Sequence, residues 1–87
     1  MIVERHKQFL KNYHKRIIPH PTIDHKFEER LKLFLLDPKN PILKDHQLTA
    51  KKKAFRSFSV TGDIRVVYKI EGNSIRLYDI GTHNQVY

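Results

Sequence analysis

The sequence predicts an α+β fold with two N-terminal helices packed on a small antiparallel sheet. In the first half, two stretches carry apolar residues at three- and four-residue spacing, the period of an amphipathic helix. In the second half, three strand-like stretches are separated by short glycine turns, the pattern of a β-meander. The chain of 87 residues has room for one domain, residues 1–87, and one modest core.

Met1–Arg5 contains Ile2 and Val3 and fits a short first strand. The first helix is predicted over His6–Ile18, where Phe9, Leu10, Tyr13 and Ile17 form an apolar stripe and Lys7, Lys11 and Lys15 lie opposite. That lysine stripe fits either a solvated face or contact with an anionic partner. Pro19-His20-Pro21 breaks the chain, because proline disfavours helix in the residue before it and donates no backbone hydrogen bond. The second helix starts with Thr22 as N-cap or Pro21 in its first turn, and Asp24 lies near the positive end of the helix dipole. Ile23, Phe27, Leu31, Phe34 and Leu35 make one apolar face. Leu33 and Leu36 lie off it and either pack beneath the following loop or meet another chain. Asp37-Pro38 and Asn40-Pro41 end the helix.

Residues 38–53 form the longest irregular stretch, and long loops in compact domains are often functional. Leu43 and Leu48 are its expected anchors, leaving Asp45, His46 and the lysines exposed. Lys51, Lys52 and Lys53, followed by Arg56, concentrate positive charge where the loop enters the sheet. They are either a phosphate-steering patch for RNA or a solubilising loop. The strands are predicted at Ala54–Val60, Ile64–Ile70 and Ser74–Ile80, joined by Thr61-Gly62-Asp63 and Glu71-Gly72-Asn73. On the middle strand, Val66, Tyr68 and Ile70 share one face and Arg65, Val67 and Lys69 the other.

Lys plus Arg number 17 against 9 Asp plus Glu, a net charge of +8 and a pI near 9.9. This balance favours a polyanionic partner: nucleic acid, an anionic membrane or an acidic protein. No apolar run approaches the roughly 20 residues that span a bilayer, and the charged N-terminus lacks a signal-like apolar stretch. A cytoplasmic location without a membrane partner is therefore expected. The absence of cysteine rules out disulfides, thiolate zinc sites and cysteine nucleophiles. Six histidines show no metal-ligand spacing, so neither a metal nor a cofactor is expected.

The residues able to carry chemistry are His46, Asp63, Arg65, His83 and Tyr87. Imidazoles suit acid–base work near neutral pH. A guanidinium can brace a phosphoryl oxygen as charge builds, and an aromatic ring can hold an unstacked base. Two imidazoles, a guanidinium and a ring suffice for RNA cleavage in which a 2′-hydroxyl attacks the adjacent phosphate. Each has a plainer explanation: a loop histidine is often a surface or capping residue, and a strand arginine usually pairs with a carboxylate.

The ordered set Leu43-Lys44-Asp45-His46-Gln47-Leu48, Phe55-Arg56, Asp63 with Arg65-Val66-Val67-Tyr68, then Ile80-Gly81-Thr82-His83 and the final Tyr87 resembles the YafQ branch of the RelE superfamily, the toxins of type II toxin–antitoxin systems. The resemblance spans nearly the whole chain, and the DHxL and GTH motifs are its specific part. It implies a RelE-like fold, two helices on a twisted antiparallel sheet, and ribosome-dependent, metal-free endonucleolytic cleavage of mRNA leaving a 2′,3′-cyclic phosphate. It implies a cognate antitoxin as partner, with operator DNA bound through the antitoxin complex. By position, His46 and His83 match the family's catalytic histidines, Asp63 its acidic site residue and Tyr87 its terminal aromatic. Arg65 falls where the wider superfamily places a phosphate-binding arginine. Three positions depart from the pattern: Ser59 replaces a histidine, Ile64 an aromatic residue and Asp79 an arginine. These changes put a base and a cation in doubt, and Arg65 is the candidate to supply the cation. The competing expectations are a catalytically weak or inactive module on the same scaffold, acting through antitoxin and operator or on another target such as gyrase, and an unrelated basic RNA-binding domain.

Overall fold

The computed structural model describes residues 1–87. Strand β1 (Ile2–Arg5) leads into helices α1 (Lys7–Arg16) and α2 (Pro21–Leu36). Strands β2 (His46–Gln47), β3 (Arg56–Ser59), β4 (Ile64–Glu71) and β5 (Ser74–Thr82) follow, and a short helix α3 (His83–Val86) closes the chain. Single 3₁₀ turns at Pro41–Leu43 and Ala50–Lys52 flank β2. The α+β class stands, with a larger sheet than the expected meander: five strands in the order β1-β5-β4-β3-β2. The sheet is mixed, because β1 runs parallel to β5 with Val3 opposite Ile75, while the other pairs are antiparallel.

Local chemistry sets the helix starts. The His6 Nδ1 atom caps α1 by accepting from the Gln8 backbone N–H at 3.1 Å. Helix α2 begins with Pro21 in its first turn and His20 at the cap, so Thr22 is not the N-cap. Phe9 and Tyr13 of α1, Ile17 at its C-cap, and Phe27, Leu31 and Phe34 of α2 bury their side chains against Phe58, Val66, Tyr68, Ile75, Leu77 and Ile80 of the sheet. Each such side chain contributes about 1.5–3 kcal/mol by leaving water. Phe34 stacks on Phe58 at 5.0 Å and meets Tyr68 edge-on at 4.9 Å, tying α2 to the sheet. Leu10 and Leu35, expected in the apolar stripes, are 52% and 41% exposed. They sit at the margins of faces whose centres the aromatic rings fill. Leu33 packs against the core, whereas Leu36 is exposed.

A bulge sets the faces of β5. Val67 pairs with Asp79 and Tyr68 with Leu77, so Tyr78 is the extra residue. Leu77 and Ile80 therefore both reach the core although they are three apart, a break in the strand's period of two. On the opposite sheet face, Leu48, Val67 and Val86 form a second small cluster with Phe55 against it. That face is covered by α3 and the 38–53 loop. The same cover buries Val67, while Ile70, at the far end of β4, is 48% exposed.

Candidate functional site

The closing segment is a helical turn and not a continuation of strand. Thr82 and Gln85 form a capping box, with Gln85 Oε1 accepting from the Thr82 backbone N–H at 2.8 Å. The T-x-x-Q spacing was the signal available for it in the sequence. Gly81 leaves room for the cap and its clamp: a Cβ there would lie 2.6 Å from Gln85 Oε1 and 2.9 Å from the Arg16 Nη1 atom. Arg16 donates to the Ile80 carbonyl at 3.0 Å, clamping the strand end from α1. Val86 is buried, and Lys52 Nζ donates to its carbonyl at 2.5 Å. The exposed rings of His83 and Tyr87 are thus carried on a turn held at both ends.

A second set of contacts presents His46. Asp45, the residue before it, is only 15% exposed in its side chain and is an anchor. It accepts from the Tyr68 hydroxyl at 2.7 Å and from Arg56 Nε at 3.3 Å. Burial, and then the hydrogen bond to Asp45, push the Tyr68 hydroxyl well above the usual tyrosine range. The hydrogen bond with Tyr68 also raises the Arg56 guanidinium. Lys44 adopts a left-handed conformation, φ 49°, and its carbonyl lies 2.9 Å from His46 Nδ1. A carbonyl only accepts, so the His46 ring donates through Nδ1 and leaves Nε2 for another partner. Ala50 is also left-handed, φ 54°, just before the lysine run. Left-handed non-glycine residues at both sides of β2 mark backbone constrained by its surroundings.

His46, His83, Tyr87, Lys51 and Lys52 line one open cleft of about 630 Å³, together with Gln47, Leu48, Thr49 and Ala50. The Tyr87 ring meets His83 edge-on at 4.5 Å and His46 at 6.5 Å. Its hydroxyl donates to Ser57 Oγ at 2.5 Å, fixing the ring between the two imidazoles. Sequence reasoning missed Ser57, a buried polar residue on β3 without a motif to mark it. The cleft thus presents two imidazoles, an aromatic face and ammonium charge on one surface.

The other predicted residues lie outside this cleft. Asp63 is exposed in the β3–β4 turn. Arg65 stands opposite Gly81 in the β4–β5 register, and its Nη1 donates to Ser59 Oγ at 2.9 Å. Its Nε is buried without a partner. Lys53 is exposed at the end of the 3₁₀ turn, and Arg56 faces Asp45 beside Lys44, away from the histidines. Asp79, the unexpected carboxylate, points toward α1: it accepts from Asn12 at 2.8 Å and pairs with Arg16 at 3.3 Å. Among the His, Asp and Glu side chains, no group of three is placed to hold a metal ion. No helix is long and apolar enough to cross a membrane.

Known proteins share both the sequence pattern and this architecture. A family model described as the bacterial toxin of type II toxin–antitoxin system, YafQ, matches residues 1–87. No curated protein sequence is a match to the chain. The crystal structure of YafQ from E. coli strain BL21(DE3) superposes with a TM-score of 0.83 at 24% identity, covering 98% of this chain and 96% of that one. A copper-bound mutant toxin from Helicobacter pylori superposes at 0.80 with 25% identity, covering 100% and 99%. In the E. coli DinJ-YafQ complex, the likeness has a TM-score of 0.79 at 24% identity and covers 98% and 96%.

Proposed function

This chain belongs to the YafQ family of bacterial toxins from type II toxin–antitoxin systems, and from that premise we propose that it is a ribosome-dependent mRNA endoribonuclease working by acid–base chemistry of its own side chains. The observation that carries the reading is the shared cleft of His46, His83 and Tyr87. In the reaction, the RNA 2′-oxygen bonds to the adjacent phosphorus as the bond to the 5′-oxygen breaks. The products are a 2′,3′-cyclic phosphate and a 5′-hydroxyl. His46, with Nδ1 held by the Lys44 carbonyl, takes the 2′-hydroxyl proton on Nε2. His83 gives a proton to the departing 5′-oxygen. Tyr87 supports a base or the His83 ring. Lys51 and Lys52 draw the phosphate backbone to the cleft, and Lys53 and Arg56 extend that field. Arg65, opposite Gly81 at the neighbouring end of the sheet, supplies the cation that braces a phosphate, and Asp63 is the site's acidic residue.

The partners in this reading are mRNA on the ribosome and a cognate antitoxin, a pairing represented in the family by the DinJ-YafQ complex. Operator DNA is engaged through the antitoxin complex. The chain acts as one domain in the cytoplasm without a cofactor. The departures at Ser59 and Asp79 favour a second reading, a toxin fold that binds its antitoxin or another target such as gyrase without cutting RNA. Induced expression with mapping of ribosome-bound mRNA separates the two. Cleavage at codons that disappears in a folded His83→Ala variant supports the nuclease, and growth arrest without cleavage refutes it.

A further inference from the structure

A row of rings lies outside the histidine cleft and has no part in the chemistry above. Tyr78, the bulge residue of β5, stacks on His6 with centroids 4.8 Å apart and planes 25° from parallel. Phe55 meets Tyr78 edge-on at 4.9 Å. The His6 ring is held by its own cap, Nδ1 accepting from Gln8 N–H at 3.1 Å. One face of that ring is against Tyr78, and the residue is exposed. A shallow depression around it is lined by the basic and amide side chains of Lys7, Gln8, Lys11 and Asn12. Phe55 and Tyr78 also border a groove with Lys52, and Lys52 borders the histidine cleft as well. Rings and lysines therefore run as a track from His83 and Tyr87 to His6.

We infer that the His6–Tyr78 stack is a second nucleotide site, taking one unpaired RNA base on the open face of His6 with its phosphates on Lys7 and Lys11. This rests on the RNA-directed reading above. A flat ring with one free face, pre-set by a backbone hydrogen bond, offers stacking to any base without loss of side-chain freedom on binding. Ammonium groups on the adjacent helix turn supply the sequence-independent phosphate contacts that accompany such stacking. Lysines without a ring would serve an acidic protein as well; the stacked pair is what favours a nucleotide. The base belongs either to the mRNA strand beside the cleaved bond or to the RNA of the ribosome.

The test uses His6→Ser, which keeps an oxygen to cap α1 while removing the ring, together with Tyr78→Leu. Binding is followed with a 2′-O-methyl RNA oligonucleotide carrying 2-aminopurine, whose fluorescence is quenched by stacking, and separately with vacant 30S subunits. Loss of quenching and about tenfold weaker oligonucleotide binding in both variants assigns the base to the mRNA strand. A comparable loss on 30S subunits alone assigns it to ribosomal RNA. Wild-type affinity in both measurements, or a loss confined to antitoxin binding, overturns the inference. The 2′-O-methyl strand has no nucleophile to be cleaved, so failure of stacking and failure of the nuclease reading are seen separately.

Discussion

The Asp79 carboxylate lies 3.3 Å from the Arg16 guanidinium and accepts from Asn12 at 2.8 Å. A position at which the family pattern places an arginine is here part of the brace between β5 and α1. Asp79→Ala would leave Asn12 without its acceptor and Arg16 with only the Ile80 carbonyl, at a cost of about 1–3 kcal/mol. In a chain of this size that lowers Tm by roughly 4–8 °C per kcal/mol. Thermal denaturation reads this directly, and an unchanged Tm would show that the brace contributes nothing.

Gly81 lies in close contact with the cap of the same region. The Cβ of a Gly81→Ala variant would meet Gln85 Oε1 at 2.6 Å, so the Gln85 side chain must move away and its cap on the Thr82 N–H is lost. Loss of a cap costs about 1 kcal/mol. The expected signature is faster amide exchange at residues 82–87, with lower cleavage and little change in the exchange of α2. Wild-type protection of the last turn would contradict it.

Tyr87 combines a ring between two imidazoles with a hydroxyl on Ser57. Tyr87→Phe keeps the ring and should retain cleavage within a few-fold, whereas Tyr87→Ala should lose about tenfold or more, the scale of one stacking contact. Single-turnover cleavage on programmed ribosomes compares the two. Equal losses would move the role from the ring to the hydroxyl.

Alkaline pH tests the buried hydroxyls. Burial, and then hydrogen bonds to Asp24 and Asp45, raise Tyr13 and Tyr68 well above the usual tyrosine value. The folded state therefore holds these protons more tightly than the unfolded chain. Their stabilising contribution is complete below the unfolded value of about pH 10 and is lost as pH rises from there through the folded values. Urea unfolding across that range should show stability falling with pH, with a shallower fall in Tyr13→Phe and Tyr68→Phe. Identical slopes in wild type and both variants would contradict the linkage.

The two helices were legible because Phe9, Tyr13, Ile17, Phe27, Leu31 and Phe34 repeat at helical spacing and all are buried. Strand β4 was legible for the same reason at period two. What periodicity does not encode is how strands combine. The parallel seat of β1 on β5 depends on pairing between opposite ends of the chain, and the bulge at Tyr78 shifts which β5 residues face the core. Strand β2 and helix α3 are too short, at two and four residues, to show a period. His46, His83 and Tyr87 could be named from their motifs, and the cleft brings them together. Ser57 and Arg16, which hold that geometry, act through contacts distant in sequence and carry no motif, whereas Gln85 acts locally through the T-x-x-Q of the cap.

The role of His83 is tested most directly by ribosome-bound cleavage with wild type, His83→Ala and His83→Gln, each first shown to be folded and to bind antitoxin. Wild type should cut at codons and leave 2′,3′-cyclic phosphate ends. Both variants should be slower by about 10²–10⁴-fold, the worth of a positioned proton donor. Cleavage by the folded variants at the wild-type rate, or no cleavage by wild type itself, would contradict His83 as the acid of an mRNA-cutting toxin.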